Sequence, residues 1–217
     1  RLVKVREMIV YFHINMSYFV LLLIAWYGAG QIAEDRRLGA HLLYFSRPLT
    51  LVDYILGKLL ATAWFGCLAV LVPGLLICGV AAFSSPDWSF VKQEGMVIPK
   101  TIAFSLLWVG AWSSVILAIS SLFERKTIAL VAAVAFFVLP GAVSALLVTL
   151  LHDRSWNMLS LDGNFRRIAG WFFDMPRIGG EGHVARAFAI VAAVTVLSWI
   201  VVALRVQIPF NGILLPG

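Results

Sequence analysis

The sequence predicts an all-α integral membrane protein, a polytopic helical bundle in which five spans are visible. Hydrophobic residues make up 61% of the 217 residues, and charged residues make up only 13%. Soluble domains average about 25% charged residues. A soluble fold of this length could not bury so much apolar surface, so the composition indicates a chain that lies in the lipid bilayer. The net charge of +6 fits basic residues near anionic lipid headgroups, and no nucleic-acid partner is predicted.

Five stretches lack Asp, Glu, Lys and Arg over roughly the 20 residues that a spanning helix needs. The predicted spans are residues 10–31, 54–82, 101–122, 128–150 and 186–206. None of these spans carries an acid or a base near its centre. An intramembrane charge commonly marks a proton or ion pathway, so the sequence argues against a proton-coupled carrier.

Small residues and prolines inside the spans predict where helices pack closely or bend. The small-residue stripe in the third span consists of Gly110, Ser114, Ala118 and Ser121, and Gly141 continues the theme in the fourth. Such a stripe lets another helix approach closely. The mid-span prolines each precede a glycine, as Pro73-Gly74 and Pro140-Gly141. Proline removes a backbone donor and bends a helix, and the bend serves either as fixed shape or as a flexing point.

The long loop at residues 152–185 is predicted to lie on the non-cytoplasmic side and to contain an interfacial helix. Its apolar positions with helical spacing are Phe165, Ile168, Ala169 and Phe172. Arg166 and Arg167 are expected on the opposite, polar side, and Asp162 or Asn164 is placed to cap the helix start. This pattern predicts a short amphipathic helix in the membrane interface.

No metal site is predicted, because no two of the histidines have metal-ligand spacing. Cys67 and Cys78 lie in one apolar run and are interpreted as small buried hydrophobic residues. His13, near the start of the first span, is expected to face a neighbouring helix or the interface. An intramembrane enzyme would need several ionisable groups at one depth, for which only residues 152–154 and His183 offer candidates.

A charged hinge at residues 34–50 separates the first two spans, within the sequence AEDRRLGAHLLYFSRPLTLVDYILGKLL. Its pattern predicts an amphipathic helix from Leu38 to Phe45 that Pro48 ends. The following Gly57-Lys58 marks re-entry into the membrane. This pair is not a nucleotide-binding loop, because Val52 stands where such a loop has its first Gly and Leu59 where it has Ser or Thr. If ATP drives this protein, another chain binds it.

The hinge resembles the coupling region of ABC-2 type ABC-transporter permeases. In that family a span ends in small residues, an acid, bases and a Gly. An apolar stretch then leads to Ser-x-Pro, and a Gly-Lys pair opens the next span. The matching residues are Glu34, Arg36, Arg37, Gly39, Leu42, Leu43, Ser46, Arg47, Pro48, Gly57 and Lys58. Ala40 departs from the pattern, since the family usually has Thr there.

The resemblance implies a permease subunit of the exporter or flippase type in a bacterial cell membrane. The full-length subunit is then expected to have six spans, the first of which is missing here. The implied coupling helix is cytoplasmic and docks on a separate ATP-binding subunit. The residues implied in that contact are Glu34, Asp35, Arg36, Arg37, Leu38, Gly39, Leu42, Arg47 and Pro48.

The implied partners are two ABC ATP-binding subunits, which hold ATP and Mg²⁺, and a second permease subunit, identical or related. The chain itself is then not an enzyme and binds no cofactor. The alternatives are an intramembrane enzyme and a channel or scaffold subunit that ATP does not drive. The absence of central charges fits a lipid, a lipid-linked glycan, a hydrophobic drug or a peptide as substrate, and does not choose among them.

Overall fold

The computed structural model describes residues 2–40, 50–85, 88–175, 178 and 184–213, and these residues contain helices and no strand. The elements are α1 (Leu2–Gly28), α2 (Gly30–Leu38), α3 (Leu51–Phe83), α4 (Ser89–Glu94), α5 (Val97–Leu122), α6 (Lys126–Leu151), a 3₁₀ helix (Arg154–Leu159), α7 (Leu161–Phe172) and α8 (Val184–Ile213). Five segments are long and apolar enough to cross a membrane, with α1 and α2 together forming the first. The all-helical fold with five candidate spans is therefore confirmed, and it is consistent with a multi-pass membrane protein.

The first candidate span is longer than predicted, because it runs over Val5–Leu38. Residues 34–38, the first part of the predicted hinge, are thus helical and belong to α2. Gly39 ends α2 in the left-handed region with φ of 65°, a conformation that glycine adopts without strain. The predicted helix from about Leu38 to Phe45 is thus separated from α2 at Gly39, and Ala40 is again helical. Its remainder lies outside the described residues, as do Leu42, Arg47 and Pro48.

The second span begins with a capping box. The Thr50 hydroxyl accepts a hydrogen bond from the Asp53 backbone N–H, and the Asp53 carboxylate accepts one from the Thr50 backbone N–H. Two backbone donors at the helix start are satisfied in this way. The helix α3 then continues through Pro73, and α6 continues through Pro140, so neither proline ends its helix.

The central helix is α5, which packs against α1, α2, α3, α6, α7 and α8. Most of its length is buried, including Ser114, Ala118 and Ser121 of the small-residue stripe. Gly110 does not belong to this contact. A methyl group added at Gly110 would meet no atom of the described chain within 4 Å, so no described helix of this chain approaches closely there.

The closest helix contacts lie instead on α3, where a buried residue recurs at every fourth position. These residues are Thr62, Gly66, Val70, Gly74, Cys78 and Ala82. A methyl group at Gly66 would lie 2.7 Å from Ile24 of α1 and 2.8 Å from Val109 of α5. One at Gly74 would lie 3.1 Å from Thr101. The absence of a side chain at these glycines is what lets α1 and α5 pack against α3.

The helix α7 runs alongside α5 instead of lying flat in an interface. At one end, Lys100 Nζ of α5 lies 2.7 Å from Asp174 Oδ2, just beyond α7. At the other, the Phe165 ring centroid lies 6.4 Å from that of Trp112. Lys100 and Trp112 are about 18 Å apart along α5. The prediction of an interfacial helix is therefore correct for the helix and wrong for its placement.

The preceding 3₁₀ helix descends along α6. The Ser144 hydroxyl of α6 donates to the Trp156 backbone carbonyl at 3.1 Å, although Ser144 lies about 10 Å before the end of α6. Together the 3₁₀ helix and α7 form a re-entrant segment, residues 154–172, which dips into the bundle and returns.

The cap and polar face of α7 also differ from the prediction. Ser160 caps the helix by accepting from the Gly163 backbone N–H, so neither Asp162 nor Asn164 is the cap. Arg167 is 5% exposed instead of lying on a polar outer face. The cap follows from the helix start, because Ser160 directly precedes Leu161, and the burial of Arg167 follows from the packing of α7 against other helices.

Candidate functional site

The candidate site is the end of the bundle at which α2 stops and α3 starts, next to the predicted coupling segment. Asp35 and Lys58, 23 residues apart in sequence, form a salt bridge of 2.7 Å. Their side chains are 15% and 18% exposed. The Tyr54 hydroxyl also donates to Asp35 Oδ2 at 2.8 Å, and the Lys58 ammonium lies 5.6 Å from the centre of the Tyr54 ring. These contacts join the end of α2 to the start of α3.

Arg36 joins the same segment to α5. Its Nη1 donates to the Ser121 backbone carbonyl at 2.5 Å, a contact that satisfies a carbonyl near the end of α5. Its Nη2 lies 3.9 Å from the Glu124 carboxylate, which is 73% exposed. The exposed ion pair contributes little, so the carbonyl contact is the stronger constraint on Arg36. The sequence predicted that Arg36 contacts a partner protein, whereas its side chain is engaged within the chain.

Ser120 is the residue that the sequence reasoning missed at this site. Its hydroxyl accepts from the backbone N–H groups of Ile32 and Ala33, both at 3.1 Å, and donates to the Ala29 carbonyl at 2.8 Å. In an uninterrupted helix the Ala33 N–H would donate directly to the Ala29 carbonyl. The Ser120 hydroxyl is inserted between these two groups, an arrangement that interrupts a helix. It accounts for the break at Ala29 between α1 and α2.

The break is held from the other side by Gly28. A methyl group at Gly28 would lie 2.7 Å from Ile116 and 2.8 Å from Thr62. The backbone of α1 is therefore in close contact with α5 and α3 immediately before it enters α2. Because Ser120 and Gly28 fix the two sides of the break, α2 has a defined position relative to α1, α3 and α5.

The outer surface of the site carries Arg37 and Leu38. Arg37 is exposed, and Leu38 is 71% exposed. A methyl group added at Gly39 would have no other atom of the described chain within 4 Å. At the start of α6, the Lys126 ammonium lies 5.4 Å from the centre of the Trp26 ring. Of the predicted coupling residues, Asp35 and Arg36 thus face inward, and Arg37 and Leu38 face outward.

At the opposite end, charged residues from four parts of the chain meet. Arg6 of α1 forms a salt bridge with Glu94 of α4 and lies 3.6 Å from Asp174. Asp174 also pairs with Lys100 of α5. These contacts fasten the end of the re-entrant segment to α1 and α5.

The re-entrant segment brings charges to the middle of the bundle. Arg166 Nε donates to Asp162 Oδ2 at 2.8 Å, and the Arg166 guanidinium also hydrogen-bonds to the Tyr18 hydroxyl. Tyr18 lies about 18 Å along α1 from Arg6. The spans themselves have no central charge, but the bundle does. The sequence argument against a proton-coupled carrier considered the spans alone, and it stays a prediction.

His13 faces a neighbouring helix, which is one of the two placements that the sequence predicted. Its Nδ1 lies 2.8 Å from the Ile9 carbonyl oxygen. A carbonyl oxygen only accepts, so Nδ1 carries a hydrogen and donates it. The His13 Nε2 lies 3.0 Å from the Ser105 hydroxyl. The Phe104 ring packs edge-on against it. Among the described residues, no three His, Cys, Asp or Glu side chains are grouped to hold a metal ion. Cys67 and Cys78 are free thiols.

Comparison with known proteins gave no match: no family model, curated protein or solved structure resembles the chain significantly.

Proposed function

We propose that this chain is the permease subunit of an ATP-driven ABC transporter of the ABC-2 type. The observation that carries the proposal is the bracing of α2 against α3 and α5 directly beside the predicted coupling segment. Asp35 holds α3, while Arg36 and Ser120 hold α5. The resemblance of residues 34–58 to the family's coupling region supplies the link to ATP.

The mechanism follows from these contacts. The coupling segment docks on an ATP-binding subunit, and closure of two such subunits on ATP displaces it. The buried contacts at Asp35 and Ser120 transmit this displacement to α1, α3 and α5 together, since a hydrogen bond to a charged group contributes about 1.5–3 kcal/mol. The permease does no covalent chemistry. ATP and Mg²⁺ are bound by the partner, and a second permease subunit completes the pathway.

The proposal also divides the predicted coupling residues by role. Arg37 and Leu38 contact the ATP-binding subunit, because they are exposed. Asp35 and Arg36 act within the permease and position the segment.

A second candidate is a carrier that an ion gradient drives. The Asp162–Arg166 pair at mid-bundle favours it, because ionisable pairs at that depth are typical of proton and ion relays. In such a carrier Asp162→Asn abolishes transport, whereas transport does not depend on ATP.

The decisive experiment changes the outward-facing residues only. Arg37→Glu and Leu38→Asp are each expected to abolish co-purification of ATPase activity with the chain and to abolish ATP-dependent transport. Because neither side chain contributes a buried contact, both variants should keep the wild-type unfolding transition. Lys92→Glu, an exposed charge reversal on α4, is the matched control and should behave as wild type.

The proposal fails if both variants retain ATPase association and transport. Transport that persists without any ATP-binding subunit and stops in Asp162→Asn would instead establish the carrier.

A further inference from the structure

The outer face of α1 carries exposed side chains at alternating intervals of three and four residues. These residues, here called the α1 seam, are Met8, Tyr11, Asn15, Tyr18 and Leu22. The next position in the series is Ala25, which is buried, so the pattern ends one turn before the break at Ala29. Alternating intervals of three and four are the spacing at which two long helices pack side by side.

Asn15 is the polar member of the α1 seam, and it lies near the middle of the bilayer. It is about 14 Å along α1 from Arg6, whose salt bridge with Glu94 lies at one end of the bundle. The hydrocarbon core of a membrane is about 30 Å thick. The Asn15 side chain is exposed and makes no hydrogen bond to the described chain. Because lipid chains offer neither donors nor acceptors, an amide at this depth requires a partner from elsewhere.

An ion pair lies beside the α1 seam, one turn further along α1. The Arg166 guanidinium pairs with Asp162 and hydrogen-bonds to the Tyr18 hydroxyl. The Arg166 side chain is 38% exposed, and Tyr18 is 53% exposed. Charged side chains inside a membrane almost always face protein or a water-filled cavity. The side of the bundle that carries the α1 seam therefore does not suit contact with lipid.

We infer that the α1 seam packs against the α1 seam of a second copy of this chain. Two copies with the same orientation in one membrane are related by a two-fold axis along the membrane normal, so equivalent residues lie at one depth. Asn15 then meets Asn15 of the second copy. A carboxamide both donates and accepts hydrogen bonds, so it is its own complement. A single Asn in such a seam fixes the register and the number of helices.

Other occupants match the α1 seam less well. A water-filled pathway would satisfy Asn15 and Arg166, but it would also wet Met8 and Leu22, and it gives the spacing of three and four no role. An unrelated membrane protein would have to offer matching groups at the same depth, which a second copy offers by symmetry.

The contact deepens the proposed function, and its meaning for transport rests on that function. It names the surface at which two identical permease subunits meet. Because α1 leads into α2, the same contact joins the coupling segments of both copies through a shared pair of helices. The contact itself requires neither ATP nor an ATP-binding subunit.

Cysteine cross-linking in lipid vesicles tests the α1 seam directly. The purified full chain has both native cysteines replaced by Ala. Tyr11→Cys and Leu22→Cys, one on each side of the central amide, should each give a disulfide-linked dimer on mild oxidation. Met16→Cys is the matched control, because Met16 is 41% exposed at the same depth of α1 but lies outside the seam. It should remain monomeric.

Energy transfer between copies measures the contribution of Asn15. Chains labelled at Lys92→Cys, an exposed position on α4, are reconstituted at decreasing protein-to-lipid ratios. Asn15→Leu should raise the dissociation constant about tenfold, the effect of one hydrogen bond between membrane helices. Asn15→Gln keeps the carboxamide and should restore most of the association. Both variants should keep the wild-type unfolding transition, because Asn15 makes no hydrogen bond within the described chain.

Each result decides for or against the contact. Cross-linking at both seam positions, together with weaker association of Asn15→Leu, supports it. Equal cross-linking of Met16→Cys, unchanged association of Asn15→Leu, or no energy transfer at any ratio overturns it. Rapid reaction of Leu22→Cys with a membrane-impermeant maleimide also overturns it, in favour of a water-filled pathway. No ATP-binding subunit is present, so failure here leaves the coupling proposal and its Arg37→Glu test unaffected.

Discussion

Replacing Ser120 by Ala removes one oxygen atom from the break between α1 and α2, and its effect follows from the three hydrogen bonds described above. The Ile32 and Ala33 N–H groups and the Ala29 carbonyl would lose their partner in a position where Ser120 is fully buried. Each buried polar group without a partner costs about 1–3 kcal/mol. If Ala33 then donates directly to Ala29, two of the three groups are satisfied again. We therefore expect a loss of about 1–3 kcal/mol in the free energy of unfolding.

The same change should weaken coupling, because a re-formed helix shifts α2 relative to α5. The assay is denaturant unfolding in detergent micelles, followed by ATPase and transport measurements on the complex. Ser113→Ala is the matched control, since Ser113 is equally buried on the same helix and has no hydrogen-bond partner among the described residues. It should be neutral or slightly stabilising. Equal stability of the two variants would refute the proposed role of Ser120.

Two further changes test the packing of the bundle. Asp35→Asn and Lys58→Met are tested singly and together. Each single change should cost more than half of the unfolding free energy that the double change costs, because it removes one charge of the Asp35–Lys58 salt bridge and leaves the other. Additive effects in this double-mutant cycle would contradict the pairing. Gly66→Ala should destabilise by about 1–3 kcal/mol through overpacking, whereas Gly79→Ala, on the open side of the same helix, should stabilise by up to about 1 kcal/mol through helix propensity. Stabilisation in both glycine variants by thermal unfolding would show that α3 does not pack closely at Gly66.

The five spans were predictable because each is an uninterrupted apolar run, and the bilayer requires little else of a helix. The small-residue face of α3 was also present in the sequence. A residue of suitable size recurs every four positions from Thr62 to Ala82, and this period would have identified the closest helix contacts. Gly110 belongs to the stripe in sequence but has no close neighbour within the described chain, because a glycine in a stripe does not reveal whether another helix of the same chain lies opposite.

The contacts at the candidate site were not predictable from local pattern. Asp35 and Lys58 are charges of opposite sign near two span ends, and many such charges face water. The insertion of Ser120 depends on the register between α1 and α5, which no local spacing specifies. The amphipathic pattern of α7 likewise has the same appearance whether its apolar face meets lipid or α5. Sequence therefore indicated the helix, and only tertiary packing determined its depth.

The re-entrant segment has a consequence for how the protein is made. Its 3₁₀ helix places backbone that is not α-helical well below the end of α6, and such backbone is tolerated at membrane depth only when protein covers it. The 3₁₀ helix packs against α6 and α7, and α7 packs in turn against α5, which is synthesised earlier, and against α8, which is synthesised later. The packing of α7 therefore becomes complete only after α8 has been made.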